Sequence, residues 1–165
     1  MRGLILLLAL AMWFTPSTAQ EVTVAEKEVP GAVLTAFRNM YPDAKVKEYC
    51  REEADGKVLY EVSFTFEETE YDVTYTPEGA VDAIEMMIPV EALPGAVKKA
   101  IMKKLPHCTI KTAEKITEGD KTFYEVNAVD VSVKEVKNYE LKFSVDGKLI
   151  EEESKKGAED SPEEK

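Results

Sequence analysis

The chain has 165 residues, of which 32 are acidic, 21 basic and one a histidine, giving a net charge of −11. Nucleic-acid binding rests on clustered Lys and Arg facing phosphates, so this balance argues against it, and equally against anionic membrane surfaces. With His107 as the sole histidine, a metal site built on two histidines is excluded.

The N-terminus has a signature of its own. Arg2 precedes a 12-residue apolar run from Gly3 to Phe14, followed by Thr15-Pro16-Ser17-Thr18-Ala19. A basic start, a short apolar core and small residues before a cut predict a secretory signal peptide over 1–19, cleaved between Ala19 and Gln20. A spanning helix would need about 20 apolar residues. The mature chain is therefore expected to be 20–165, exported to the periplasm or beyond, and not membrane-embedded. Loss of Arg2 takes its net charge to −12. Its 146 residues suffice for one compact domain or two small ones sharing a core.

Residues 20–28 form a polar, acidic lead-in. From Val29 onward one pattern is written twice. Val29-Pro30-Gly31-Ala32-Val33 returns as Leu93-Pro94-Gly95-Ala96-Val97, Tyr41-Pro42 as Leu105-Pro106, and Tyr60-Glu61-Val62 as Tyr124-Glu125-Val126, all at a spacing of 64. Each copy opens on an amphipathic helix. Val33, Ala36, Phe37, Met40 and Tyr41 fall on one helical face, and Pro42 stops the helix because the residue before a proline disfavours helical geometry. In the second copy Val97, Ala100, Ile101 and Leu105 repeat the stripe before Pro106.

Four strands are predicted after each helix. In the first copy they are 44–53, 58–66, 71–75 and 80–88, punctuated by Asp55-Gly56, Glu67-Glu68 and Pro77-Glu78-Gly79. Tyr60, Val62, Phe64 and Phe66 alternate with Glu61, Ser63 and Thr65, so one face is buried and the other is wetter. In the second copy the strands are 109–117, 122–131, 139–145 and 148–152, with Asp146-Gly147 as the last turn. The spacing grows to 68 from Tyr139 onward, which puts four extra residues in the hairpin between Asp130 and Asn138. They are either a private contact or a longer loop. The units are thus 29–88 and 93–153, with a linker at 89–92 and a polar, charged tail at 154–165 expected to be disordered.

The fold class is α+β: two tandem repeats, each a short helix followed by a four-stranded antiparallel sheet, with the helices packed on one sheet face. The opposite face is then open. Alternation places Lys47, Tyr49, Arg51, Leu59, Glu61, Thr65, Asp72, Thr74, Phe123 and Glu125 on it. Leu59 and Phe123 are equivalent by repeat alignment. Apolar side chains on the wetter face of both copies mark either a contact surface or the cover of a strand edge or junction.

The Val/Leu-Pro-Gly-Ala-Val helix, the Tyr/Leu-Pro stop, the Tyr-Glu-Val strand and a last strand introduced by Glu-Gly or Asp-Gly resemble the PepSY-like family, also described as beta-lactamase-inhibitor-like. The resemblance covers about 29–152. It implies tandem helix-plus-sheet units in exported bacterial proteins, with binding rather than catalysis as the role. In the inhibitor that lends the family its name, a sheet made by two such units grips the enzyme. Fold similarity does not transfer a target.

The catalytic inventory is thin. HExxH, a zinc cysteine cluster, an EF-hand loop, a P-loop and GxSxG are absent, and no cofactor motif occurs. His107 and Cys108 are adjacent, so on a strand they point to opposite faces. Glu61 and Glu125 could serve as acid and base only in a cleft that separates their pKa values, and an open sheet face is expected to desolvate them little. Cross-strand pairing with Lys or Thr suits them better. Cys50 and Cys108 could form a disulfide after export or remain two buried thiols. The chain reads as a non-enzymatic exported binding module for a protein partner, with Tyr49, Leu59, Glu61, Phe123 and Glu125 as contact residues. The alternative is a periplasmic small-ligand or ion sensor.

Overall fold

The computed structural model describes residues 20–54, 56–130 and 137–156. The expected leader, positions 131–136 of the longer hairpin and tail residues 157–165 lie outside the described residues. The elements run β1 (Gln20–Thr23), α1 (Gly31–Met40), β2 (Lys45–Ala54), β3 (Lys57–Phe66), β4 (Thr69–Tyr75), β5 (Val81–Met87), α2 (Gly95–Lys104), β6 (Cys108–Glu118), β7 (Lys121–Asp130), β8 (Lys137–Ser144) and β9 (Leu149–Lys156). Short 3-10 turns at Glu26–Glu28 and Val90–Ala92 precede the two helices.

Each helix is followed by four strands, but these do not form two sheets. All nine strands hydrogen-bond in sequence order into one antiparallel sheet, β1 through β9. The join is the β5–β6 pairing, where Ala83 through Met87 lie opposite Glu118 through Glu114. The ends also differ from the sequence expectation. The polar lead-in contributes an edge strand, Gln20–Thr23, paired to 50–53 of β2. The charged tail stays in the sheet through Lys156, opposite Lys137. Neither stretch carries an apolar alternation; backbone pairing with an adjacent strand holds them.

Both helices lie against the same face. Val33 and Phe37 of α1 pack on Val62, Phe64, Val73 and Tyr75. Val97 and Ile101 of α2 pack on Val126, Ala128, Leu141 and Phe143. Fully burying one such side chain contributes about 1.5–3 kcal/mol, so these two clusters dominate the stability. The first core is aromatic: the Tyr41 ring lies 4.6 Å from Phe64 and 5.4 Å from Phe66, and Phe64 stacks on Tyr71 at 5.4 Å. In the second core the repeat-equivalent positions hold the smaller Leu105 and Ala128.

The turn between the last two strands of each unit locks onto the helix. Gly79 (φ +84°) and Gly147 (φ +83°) adopt the left-handed conformation, and a Cβ at either would stand 2.6 Å from the carbonyl oxygen of Ala32 or Ala96. Only glycine lets the turn approach the helix start this closely. The cost of a left-handed non-glycine residue alone is roughly 1–2 kcal/mol. Gly147→Ala is therefore expected to lower the unfolding free energy by more than that, read as the urea midpoint, and Gly31→Ala, whose Cβ would meet nothing within 4 Å, should leave it near the wild-type value.

Tyr75 shows the reverse asymmetry. It is fully buried and its hydroxyl has no hydrogen-bond partner, while the equivalent residue in the second unit is Phe143. An orphaned buried polar group costs about 1–3 kcal/mol. Tyr75→Phe is expected to stabilise the protein by about 1 kcal/mol in urea unfolding, and Phe143→Tyr to destabilise it.

Candidate binding face

The strand register assigns every side chain to a face, because residues directly opposite across an antiparallel pair point the same way. Tyr49 lies opposite Val62 and Arg51 opposite Tyr60, so both belong to the helix side. This corrects the expected open-face positions of Tyr49 and Arg51. The cause is a bulge at Lys47, between Val46 and Glu48. Val46, opposite Phe64, faces the helices, and simple alternation from there would put Tyr49 outward. One extra residue inverts the phase. The same bulge recurs 64 positions later at Lys111, between Ile110 and Thr112. Tyr49 packs against the first core, and its phenol pKa is raised by burial and then by Glu26.

Leu59, Glu61, Phe123 and Glu125 lie on the open face. The first three strands also place Cys50 there, opposite Glu61. Cys108 faces the helix side of β6, packed on the second core. Four strand steps separate β2 from β6, about 19 Å at ordinary strand spacing, whereas a disulfide needs Cα atoms within about 7 Å. Both cysteines are free thiols. Burial, a hydrogen bond to Glu21 and nearby acids push Cys50 up to about 12, which makes it unreactive.

Three rows of side chains cross the middle of this face. Glu61, Thr74, Ala83 and Glu118 form one; Ser63, Asp72, Glu85, Ile116 and Phe123 the next; Met87, Glu114, Glu125, Lys142 and Glu151 the third. Like charges stand directly opposite each other at Asp72–Glu85 and Glu114–Glu125. Such pairs destabilise a sheet. Between them lies an apolar spot: Ile116 is only 1% exposed although it faces the open side. Its neighbour Phe123 carries the Lys142 ammonium 5.0 Å above its ring, and Lys142 also reaches Glu118 at 2.8 Å.

Contrary to the expectation of little desolvation, Glu61 and Glu125 are half-buried. Burial first, then Asp72, pushes Glu61 up to about 7. Burial and Glu140 do the same for Glu125. Glu85 rises to about 7 through burial and Glu114, and Glu114 through burial and Glu125. Lys142 lowers Glu85 and Glu125 without offsetting the rest. Over β7–β9 the face dips into two depressions. One of about 490 Å³ is lined by Glu125, Glu140, Lys142, Glu151, Glu152 and Glu153. The other, of about 420 Å³, is lined by Asn127, Asn138, Tyr139, Glu140, Glu153 and Lys155.

Sequence reasoning missed Glu85, Glu114, Ile116 and Lys142. Glu114 and Ile116 come after the second bulge, and Glu85 matters only because β5 meets β6. No signal in the sequence pointed to Glu114, since its repeat equivalent Cys50 falls on the helix side until the bulge inverts the phase. No catalytic pair forms at His107, which is exposed in the turn before Cys108. Among the described residues no group of three or more His, Cys, Asp or Glu is arranged to hold a metal ion. No helix among them is long and apolar enough to cross a membrane.

The class these features define is an α+β module with two helices on one face of an antiparallel sheet and the other face uncovered. The chain belongs to the beta-lactamase-inhibitor-like, PepSY-like family, whose profile matches residues 9–82 and 58–151. A DUF2874 family protein from Bacteroides uniformis is 16% identical with a TM-score of 0.63, over 76% of this chain and 88% of its own. A protein from Bacteroides eggerthii described as periplasmic is 15% identical with a TM-score of 0.65, over 76% and 88%. A BLIP-like protein from Bacteroides fragilis is 21% identical with a TM-score of 0.58, over 80% and 91%. At these identities the likeness shows the fold alone. No curated protein matches the chain.

The glutamate pKa values set a pH dependence whose sign is opposite to that of salt-bridged acids. Each is raised above its unfolded value, so its stabilising contribution is full below the ordinary carboxylate range and is lost as pH rises through about 7. Unfolding midpoints are expected to be higher near pH 5.5 than near pH 8. Glu85→Gln should raise the midpoint most near pH 8, less near pH 5.5, and leave it almost unchanged only below the ordinary carboxylate range. A wild-type midpoint that climbs across this window would refute the assignment.

Proposed function

We propose that this is an exported, non-catalytic binding module that holds a protein partner on the open sheet face, with a Lys- or Arg-bearing segment against its centre. The observation that carries this reading is the set of like-charge pairs, Asp72–Glu85 and Glu114–Glu125, standing around buried Ile116 and half-buried Phe123. Surface features that lower stability persist where function needs them. Leu59 and Phe123 stand on β3 and β7, about 19 Å apart at ordinary strand spacing, and flank the acids as apolar contacts. The family and the described periplasmic relative support the export and binding parts of the reading.

A cationic segment arriving here would bring the opposite charge that these carboxylates lack, and would return their pKa values towards the ordinary range. Capture should therefore weaken on acidification, as the glutamates take up protons instead. Pull-down from the periplasmic fraction of the source cell, with each captured protein re-tested in purified form, is the direct experiment. Glu85→Lys with Glu125→Lys should reduce affinity at least tenfold near pH 8, and Leu59→Glu with Phe123→Glu should abolish capture. Affinity that survives both pairs, or that strengthens near pH 5.5, would move the site off this face.

A second reading, a small-ligand or ion sensor, draws on the acid-lined depression beside Glu125 and Glu140. Thermal shift separates the two, since a ligand that binds only the native state raises its stability. A shift with millimolar calcium that Glu140→Gln removes would favour the sensor.

A further inference from the structure

The open face is not the only surface the fold leaves uncovered. A nine-stranded open sheet has two edges, and they are unequal: β1 is four residues long, and β9 is eight. Residues 150–156 of β9 are all exposed, and their outer backbone groups face away from β8. Proteins usually blunt such an edge with shortness, proline, bulges, charged side chains or a covering segment; the charges of β9 are of both signs, so they oppose self-pairing in some registers and favour it in another. Among the described residues of β9 there is no proline, and its irregularity is confined to the start, where Leu149 and Glu151 flank the bulged Ile150.

We propose that β9 is a self-association edge, pairing antiparallel with β9 of a second copy of this chain about a two-fold axis beside Ser154. The argument is one of symmetry and charge, and it does not depend on the reading of the open face. A two-fold that pairs a strand with its own copy must run perpendicular to the sheet. Residues equally spaced on either side of the axis then oppose each other on one face. The run Glu151-Glu152-Glu153-Ser154-Lys155-Lys156 can be tried in each register. An axis at Glu152 opposes Glu151 to Glu153. An axis at Glu153 opposes that carboxylate to itself, and one at Lys155 does the same for the ammonium. With the axis at Ser154, Glu153 faces Lys155 and Glu152 faces Lys156, each twice.

Over 152–156 that register alone sets every charge against its opposite, and it puts the smallest side chain of the run on the axis. Opposite-charge cross-strand pairs favour pairing and like pairs oppose it. The contacts of Lys155, Glu153 and Glu152 fit. Lys155 already leans towards Glu153 of its own strand at 3.7 Å, both exposed, and can exchange that contact for the same one across the axis. Glu152 is held by Lys104 at 2.6 Å and keeps an oxygen for the incoming Lys156. The overall negative charge of each chain works against association, so the pairing is reversible and concentration-dependent. Because the axis is perpendicular to the sheet, the two open faces would lie on the same side.

The test is the solution mass of the mature chain, 20–165, by light scattering or sedimentation over a concentration series. The mass should rise from one chain towards two. Lys155→Glu with Lys156→Glu should stay monomeric throughout, and so should Glu152→Lys with Glu153→Lys. An equimolar mixture of these two variants should associate more tightly than the wild type, since every pair in the heterodimer is then opposite. Melting curves of each variant confirm that it is folded. Under oxidation Ser154→Cys should cross-link two chains, and Glu151→Cys should not. A wild-type mass that stays at one chain to the highest concentration overturns the proposal. So does self-association unaffected by the charge changes, or a mixture that fails to pair.

Discussion

The antiparallel contact between β5 and β6 is what the rest of the molecule depends on. Those two strands belong to different copies of the repeat, and a loop containing only a 3-10 turn and a helix connects them. Once Ala83–Met87 pairs with Glu114–Glu118, the two units share one sheet and one pleat. The buried faces of both units must then point the same way. Both helices are forced onto that side, and the other side is left uncovered along its full width. Two separate sheets could have packed face to face and buried it.

The shared pleat also has an electrostatic consequence. Glu85 comes from the first copy and Glu114 from the second, and neither would meet the other without the join. Together with Asp72, Glu61 and Glu125 they concentrate negative charge where the strands are crowded and half-desolvated. A protein selected for stability alone would place lysine or threonine at some of these positions, as the pairs Glu61–Thr74 and Glu125–Lys142 do. The remaining like-charge pairs raise the free energy of the folded state at neutral pH. That cost sits on the face the helices leave free, while the cores on the other side supply the stability that carries it.

Much of the fold was legible because it was duplicated. The proline-bounded helices and the Tyr-Glu-Val strands have periodicities that burial of one face imposes, and a 64-residue offset makes chance agreement improbable. The edge strands were not legible. Gln20–Thr23 and Ser154–Lys156 carry no apolar alternation, since an edge strand is held by backbone hydrogen bonds that any residue but proline can make. Tyr49 falls on the unexpected face for a different reason. A bulge changes the count of residues between two positions without changing their identities, so the alternation of β2 looks the same with or without it.

Sequence alone determined the leader signature, the two units, their helix-then-strands order, the inward face of each regular strand and the poverty of catalytic residues. These come from local periodicity, from the conformational limits of proline and glycine, and from composition. Tertiary structure decided that the units form one sheet, that Cys50 and Cys108 lie four strand steps apart on opposite faces, and that Glu85, Glu114, Ile116 and Phe123 are neighbours. The reason is common to all three. Strand pairing between distant segments, and the phase set by a single bulged residue, are properties of the assembled backbone. No stretch of the chain contains them by itself.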